Sequence, residues 1–121
     1  MAKNERAKIS KYPGNSVAAG GEDATAIGGT PMGNGQIVRI TCFGGALQFA
    51  GKVELQLRTQ VTPSEKWRTL RCIVGPGQEH FENFQPIMGD GTIAALRILR
   101  TNDDASDQKI SAWVEGFRRR D

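Results

Sequence analysis

Histidine and cysteine are almost missing from this 121-residue chain, which has one His and two Cys. Long apolar runs are missing too. No stretch approaches the roughly 20 consecutive apolar residues of a membrane-spanning helix. His80 is the single histidine, the residue type most often used as a general base. A Ser or Cys nucleophile would have to share it as a base, and no GxSxG elbow stands in the sequence. No orienting partner for His80 is recognisable around "EHFENF". The paired glycines at 20–21, 28–29 and 44–45 form neither GxGxxG before a helix nor a loop ending in GK[ST], so no phosphate cradle is indicated. These absences predict a protein that is not an enzyme and holds no cofactor. Cys42 and Cys72 show no CxxC spacing and fall in strand-like segments. Buried free thiols are expected, with a disulfide between neighbouring strands left open. The opening "MAKNERAKISKY" lacks the apolar core of a secretory signal, which predicts synthesis in the cytoplasm and no membrane partner.

The formal net charge is +3, but it is unevenly spread. Residues 1–12 carry Lys3, Arg6, Lys8 and Lys11 against Glu5. At the other end Arg118, Arg119 and Arg120 stand against Asp121. Between them, residues 13–117 hold nine basic and eleven acidic side chains, a net of −2. A domain of that charge does not predict a surface that tracks a phosphate backbone, and nucleic acid is not the expected partner. Basic tails are suited to an acidic protein surface.

Organisation changes near residue 36. From Pro13 to Gly35 the chain has seven glycines and two prolines, with small, isolated apolar residues between them. Such a segment buries too little surface to offset the entropy of ordering its backbone, about 1–2 kcal/mol per residue. Residues 1–35 are therefore expected to form an extended arm, held by contacts outside its own domain, with residues 36–121 as the folded unit.

What is present after Gln36 is strand signal. In "LQFAGKVELQLRT", Leu47, Phe49, Val53, Leu55 and Leu57 alternate with Gln48, Lys52, Glu54, Gln56 and Arg58, and Gly51 is the gap. A period of two places the first set on a core and the second in water. Gly51 reads as a bulge or bend in that strand. "QIVRITCF" precedes it, across an expected turn at Gly44-Gly45. "KWRTLRCIV" follows, with Leu70, Cys72 and Val74 on one face. "GPGQ" is read as a turn into "EHFENFQPIM", and "GDG" at 89–91 as another. "TIAALRILRT" and "QKISAWVEGF" close the chain, with Ala94, Leu96, Ile98 and Ile110, Ala112, Val114 as inward residues. Six strand-like runs with short links predict an all-β fold, an antiparallel β-sandwich of jelly-roll type.

Two further features bear on binding. The loop "NDDASD" offers Asp103, Asp104 and Asp107 as oxygen ligands for a hard cation, but its spacing is not that of an EF-hand and Asx residues are ordinary turn formers, so no metal is expected. Trp67 and Trp113 lie on strands, opposite the faces of Leu70 and Ile110. An exposed Trp there would stack on a sugar ring or a base, the alternative function as a glycan- or nucleic-acid-binding module.

The run "VELQLRT", then "WRTL", the "GPGQ" turn, "LRILRT" and the closing "ISAWVEGFRR" resemble the layout of the small β-sandwich structural proteins of tailed-bacteriophage virions, over residues 36–120. That resemblance implies a non-catalytic virion protein. A head decoration (cement) protein is the specific expectation, with a neck or tail component as the alternative within the class. It implies the virion as location, and the major capsid protein or other virion subunits as partners. A homo-oligomer, with a trimer as one option, is expected. Contacts are expected from Lys3, Arg6, Lys8, Lys11, Arg118, Arg119 and Arg120 in the tails, and from Lys52, Glu54 and Arg58 on the polar face of the long strand.

Overall fold

The structure is a computed structural model that describes residues 6–27, 36–89 and 93–120. Nine strands are formed among them: β1 (Arg6–Lys11), β2 (Ser16–Val17), β3 (Glu22–Ala26), β4 (Gln36–Gln60), β5 (Lys66–Glu82), β6 (Ile87–Met88), β7 (Leu96–Asn102), β8 (Gln108–Lys109) and β9 (Ser111–Arg120). Every pairing is antiparallel. The all-β class follows from the alternation.

The 25-residue β4 organises the sheet. Its first half pairs with β9, its second half with β7, and both lie on the same edge because β5 follows the opposite edge along most of its length. β1 extends the first half beyond β9, and β3 extends the second half beyond β7. Between the halves the β4–β5 register breaks from Leu47 to Gly51, and the sheet curls there. Gly51 is required at this bend, since a Cβ on it would run into the backbone carbonyl of Thr101 in the adjoining β7. Both halves then contribute to one core: Val38, Ile40, Phe43, Val53 and Leu55 from β4, Ile73 from β5, Leu96 and Ile98 from β7, and Ala112 and Val114 from β9.

Several expectations need correction. Gly44-Gly45 is not a turn, and β4 runs straight through it. The Trp113 indole of β9 lies over Gly44, where any Cβ would occupy the space of its ring. The glycine is there for close approach between strands. Likewise "GPGQ" does not separate two strands but lies within β5, at the point matching the bend of β4. Phe49 does not join the inner face. It falls in the three-residue bulge after Leu47 and is 45% exposed. On β5 it is Ile73 that is fully buried, while Cys72 and Val74 share the outer face and Leu70 packs from a register shift. Neither thiol is fully buried: Cys72 is exposed and Cys42 half-buried, and both are free. Partial burial is the first cause that raises both thiol pKa values, with Glu115 near Cys42 and Glu54 near Cys72 adding to it.

The segment expected to be an arm also differs where it is described. Residues 6–27 form β1, β2 and β3 on the edges of the domain itself. Ile9, Val17 and Ile27 each enter the core as single buried side chains. Residues 1–5 and 28–35 lie outside the described residues, as does part of the "GDG" turn. What ties so glycine-rich a segment down is Arg100, a fully buried cation on β7. Its Nη1 donates to the carbonyls of Asn15 and Ile110 at 2.8 Å each. Its Nη2 donates to Asn15 Oδ1 at 2.7 Å and Asp23 Oδ2 at 2.8 Å. A second buried side chain, Asn102, donates to the carbonyls of Val17 and Ser106. The missing apolar area is replaced by buried polar side chains that saturate loop backbone.

This clamp carries a pH dependence. The hydrogen bond from Arg100 holds the Asp23 carboxyl below its ordinary value of 3.8, against the opposing effect of partial burial. A carboxylate with a depressed folded-state pKa contributes stability that is complete above its unfolded value and is lost as pH falls through the folded one. The stability gap between the wild type and Asp23→Asn should therefore be constant from neutral pH down to about pH 5 and close on further acidification. Urea midpoints of both proteins across that range check this, and a gap that widens in acid contradicts it.

Candidate functional site

The pairing of the first and last strands brings both ends of the sequence together. In register, Arg6 lies opposite Arg119, Ala7 opposite Arg118 and Lys8 opposite Phe117. On the other edge of β9, Gln36 of β4 lies opposite Arg120, Ile37 opposite Arg119 and Arg39 opposite Phe117. By the period of two, Lys8, Arg39 and Arg119 share one face with Phe117 on three adjacent strands, spaced about 4.8 Å apart as neighbours in any sheet, while Arg118, in register with buried Val38, falls on the other face. Charges on directly adjacent strands then lie inside one Debye length at physiological salt, about 8 Å, and those on β1 and β4, two spacings apart, lie just beyond it. Phe117 stands between exposed Lys8 on one side and exposed Arg39 on the other.

The next outward row tempers the charge. Ser10, Glu115 and Cys42 lie across from one another on β1, β9 and β4. The Glu115 carboxylate accepts the Tyr12 hydroxyl, an interaction that raises the Tyr12 pKa. Thr41 Oγ1 donates to the Glu115 carbonyl at 3.0 Å. Lys8, Thr41, Glu115, Gly116 and Phe117 line an open depression of about 390 Å³. The surface is therefore a cationic corner with an aromatic ring in it and a carboxylate at its margin.

Of the residues expected to make contacts, Lys8 and Arg119 share this face, Arg118 falls on the opposite one, and Arg6 and Arg120 occupy the flanking register positions of β1 and β9. Lys11 is exposed further along β1, opposite Val114, and Lys3 lies outside the described residues. Arg39 is a member that sequence reasoning missed. Its place midway along the chain hid it, and only the register of β4 with β9 reveals it.

Lys52, Glu54 and Arg58 are on a different surface, the outer face of the second half of β4. There Glu54 Oε1 accepts from Thr69 Oγ1 at 3.1 Å, and Thr69 lies in turn at 3.4 Å from Gln56 Nε2. Arg97 Nε donates to Gln56 Oε1 at 2.7 Å. Arg58 pairs with Glu65 at 3.1 Å and donates to the Ile93 carbonyl at 2.9 Å. Much of this face is thus bonded within its own chain. Trp67 lies under the same arginines, with the Arg97 guanidinium 4.2 Å and that of Arg58 5.9 Å from its ring centre. Neither tryptophan is fully exposed. Trp113 lies across Gly44 and donates its Nε1–H to His80 Nδ1 at 3.1 Å, while His80 Nε2 sits 3.2 Å from Glu82. That geometry gives His80 an orienting carboxylate but fills its other nitrogen with an indole, so it presents no free base toward a nucleophile.

The acidic loop is organised by its own chain. Asp104 Oδ2 accepts from Ser106 Oγ at 2.7 Å, which lowers the Asp104 pKa, and Asp107 Oδ1 accepts from the Ala19 N–H. Among the described residues no group of three His, Cys, Asp or Glu side chains is placed to hold a metal ion. No helix there is long and apolar enough to cross a membrane.

No family model matches the chain, and neither a curated protein nor a solved structure matches it. The functional reading rests on the geometry above.

Proposed function

We propose that the protein is a non-catalytic structural subunit whose cationic corner docks on an acidic surface of a larger assembly. Within that class we propose a virion protein that decorates the head shell, with the major capsid protein as partner. The two halves of the curled sheet are proposed to face one another as a β-sandwich of jelly-roll type. The observation that carries the reading is the convergence of Lys8, Arg39 and Arg119 on one face of neighbouring strands. Lys8 and Arg119, more than 100 residues apart in sequence, share one face only because β1 pairs with β9. Single exposed ion pairs contribute little, about 0–1 kcal/mol each. A cluster that meets several carboxylates at once gains by multiplicity, and bidentate arginine contacts fix orientation. The carboxylate–arginine clamp inside the domain would then hold β3 and the loop after β1 in place while the outer charges make the contact.

Reversing two exposed charges, Lys8→Glu together with Arg39→Glu, is expected to weaken binding to the shell by about tenfold or more at physiological salt. The circular dichroism spectrum should be unchanged. Wild-type binding should fall as salt is raised toward about 1 M, where screening acts within about 3 Å. Cosedimentation with shells measures both effects. Undiminished binding by the double variant would remove the cationic corner from the account.

A further inference from the structure

We propose that the outer edge of β5 is a self-association site, along which two copies of the chain pair their β5 strands antiparallel about a two-fold axis at the bend. The basic half of each strand then lies beside the acidic half of the other. None of the residues concerned belongs to the cationic corner, and the contact does not rest on docking to a larger assembly.

β5 is 17 residues long, and among the described residues it pairs with β4 alone. Its other edge therefore carries a row of backbone donors and acceptors that no described strand takes up. Ile73 is its one buried residue. Arg71 and Glu79 are exposed although their register partners in β4, Leu55 and Gly45, are buried. Charge runs along the strand in blocks. Lys66, Arg68 and Arg71 fall within residues 66–71, with no carboxylate among them. Glu79 and Glu82 fall within residues 79–82, with no Lys or Arg. Residues 72–78, between the two blocks, carry no charge.

That distribution identifies the occupant. An edge of one sign suits any strand of the opposite sign. An edge that is basic at one end and acidic at the other matches its own sequence reversed, which is what an antiparallel second copy presents. Parallel pairing would set like charges side by side, which disfavours it. The bend fixes the register. β5 bends with β4 around Gly75 and Gly77, and two bent strands lie side by side only where their bends coincide. A two-fold axis at Gly75 sets Arg71 of each copy across from Glu79 of the other, on one face of the sheet. It also brings Lys66 and Arg68 alongside the end that carries Glu82. Pro76 has no N–H to offer, a residue that sheets accommodate on edges and at bulges, so the ladder forms on either side of the bend. Val74, 68% exposed, stands next to the axis and is covered in the pair.

Sedimentation velocity over micromolar to submillimolar protein tests the proposal on the whole chain. The wild type is expected to dimerise in that range, and less so as salt is raised. Lys66→Glu with Arg68→Glu makes both halves of the edge acidic, and Glu79→Lys with Glu82→Lys makes both basic. All four positions are exposed. Arg71 is left in place because its guanidinium also lies 4.7 Å from the Phe84 ring of its own chain. Each double variant alone should dimerise at least about tenfold more weakly than the wild type. An equimolar mixture of the two should recover association, since every half then meets a half of the other sign. A wild type that stays monomeric throughout overturns the proposal and leaves the edge to a strand of another protein. So does a double variant that dimerises like the wild type, or a mixture that associates no better than either variant alone.

Discussion

Replacing Arg100 with leucine should lower stability by about 3–5 kcal/mol, as expected when one partner of a buried charged network is removed. It should also free the N-terminal segment in preference to the rest of the chain. Leucine matches the apolar stem but not the four donated bonds. The Asn15 and Ile110 carbonyls and Asn15 Oδ1 would lose their donors, each an unsatisfied acceptor costing about 1–3 kcal/mol where water cannot reach it. Asp23 suffers least, because its side chain is 43% exposed and regains water. The arginine already leaves its own Nε without a partner in the interior, so the network is close to the limit of what it can satisfy. Two measurements separate global from local effects. Urea denaturation gives the stability change, and tryptic cleavage after Lys8 and Lys11 reports release of β1 and its flanking loop. Cleavage at those sites should accelerate more than cleavage within β4 or β5. A change below about 1 kcal/mol, or uniform cleavage, would contradict the role given to Arg100.

The second large effect belongs to Phe43. It is fully buried where β4 pairs with both β9 and β5, and its ring stacks on that of Phe81 with centres 6.3 Å apart. Phe43→Ala removes a fully buried core ring and leaves a cavity, with an expected cost of about 3–5 kcal/mol. Phe81 itself is partly covered by the Arg71 guanidinium, which lies 5.9 Å from its ring and 4.7 Å from that of Phe84. That cover is a surface arrangement and does not refill the hole. Thermal and urea unfolding should agree on the loss. A cost below about 1.5 kcal/mol would mean that the curled sheet closes onto the vacated volume.

The parts legible in sequence are those set by side-chain period. Val53 and Leu55 on β4, Leu96 and Ile98 on β7, and Ala112 and Val114 on β9 are buried where alternation places them. Misreadings cluster at glycine and proline, because these residues mark either a turn or a close approach and the sequence does not distinguish the two. Gly44 accommodates an indole that belongs to a strand nearly 70 residues away. "GPGQ" bends a strand without ending it. Phe49 shows the cost of a single bulge, which reverses the face of a residue that alternation otherwise assigns with ease. The N-terminal segment was hidden for another reason. Its anchoring comes from Arg100 and Asn102, polar residues in distant strands whose burial no local pattern signals. The candidate site was legible as two charged tails, but their meeting and the addition of Arg39 depend on long-range register.

Docking of the chain on a larger assembly, as proposed above, is checked by sedimentation of a lysate from its source through a density gradient. The account predicts that the chain runs with megadalton particles at physiological salt and moves to the top of the gradient when salt is raised to about 1 M. A chain found only as monomer or small oligomer at physiological salt would contradict it.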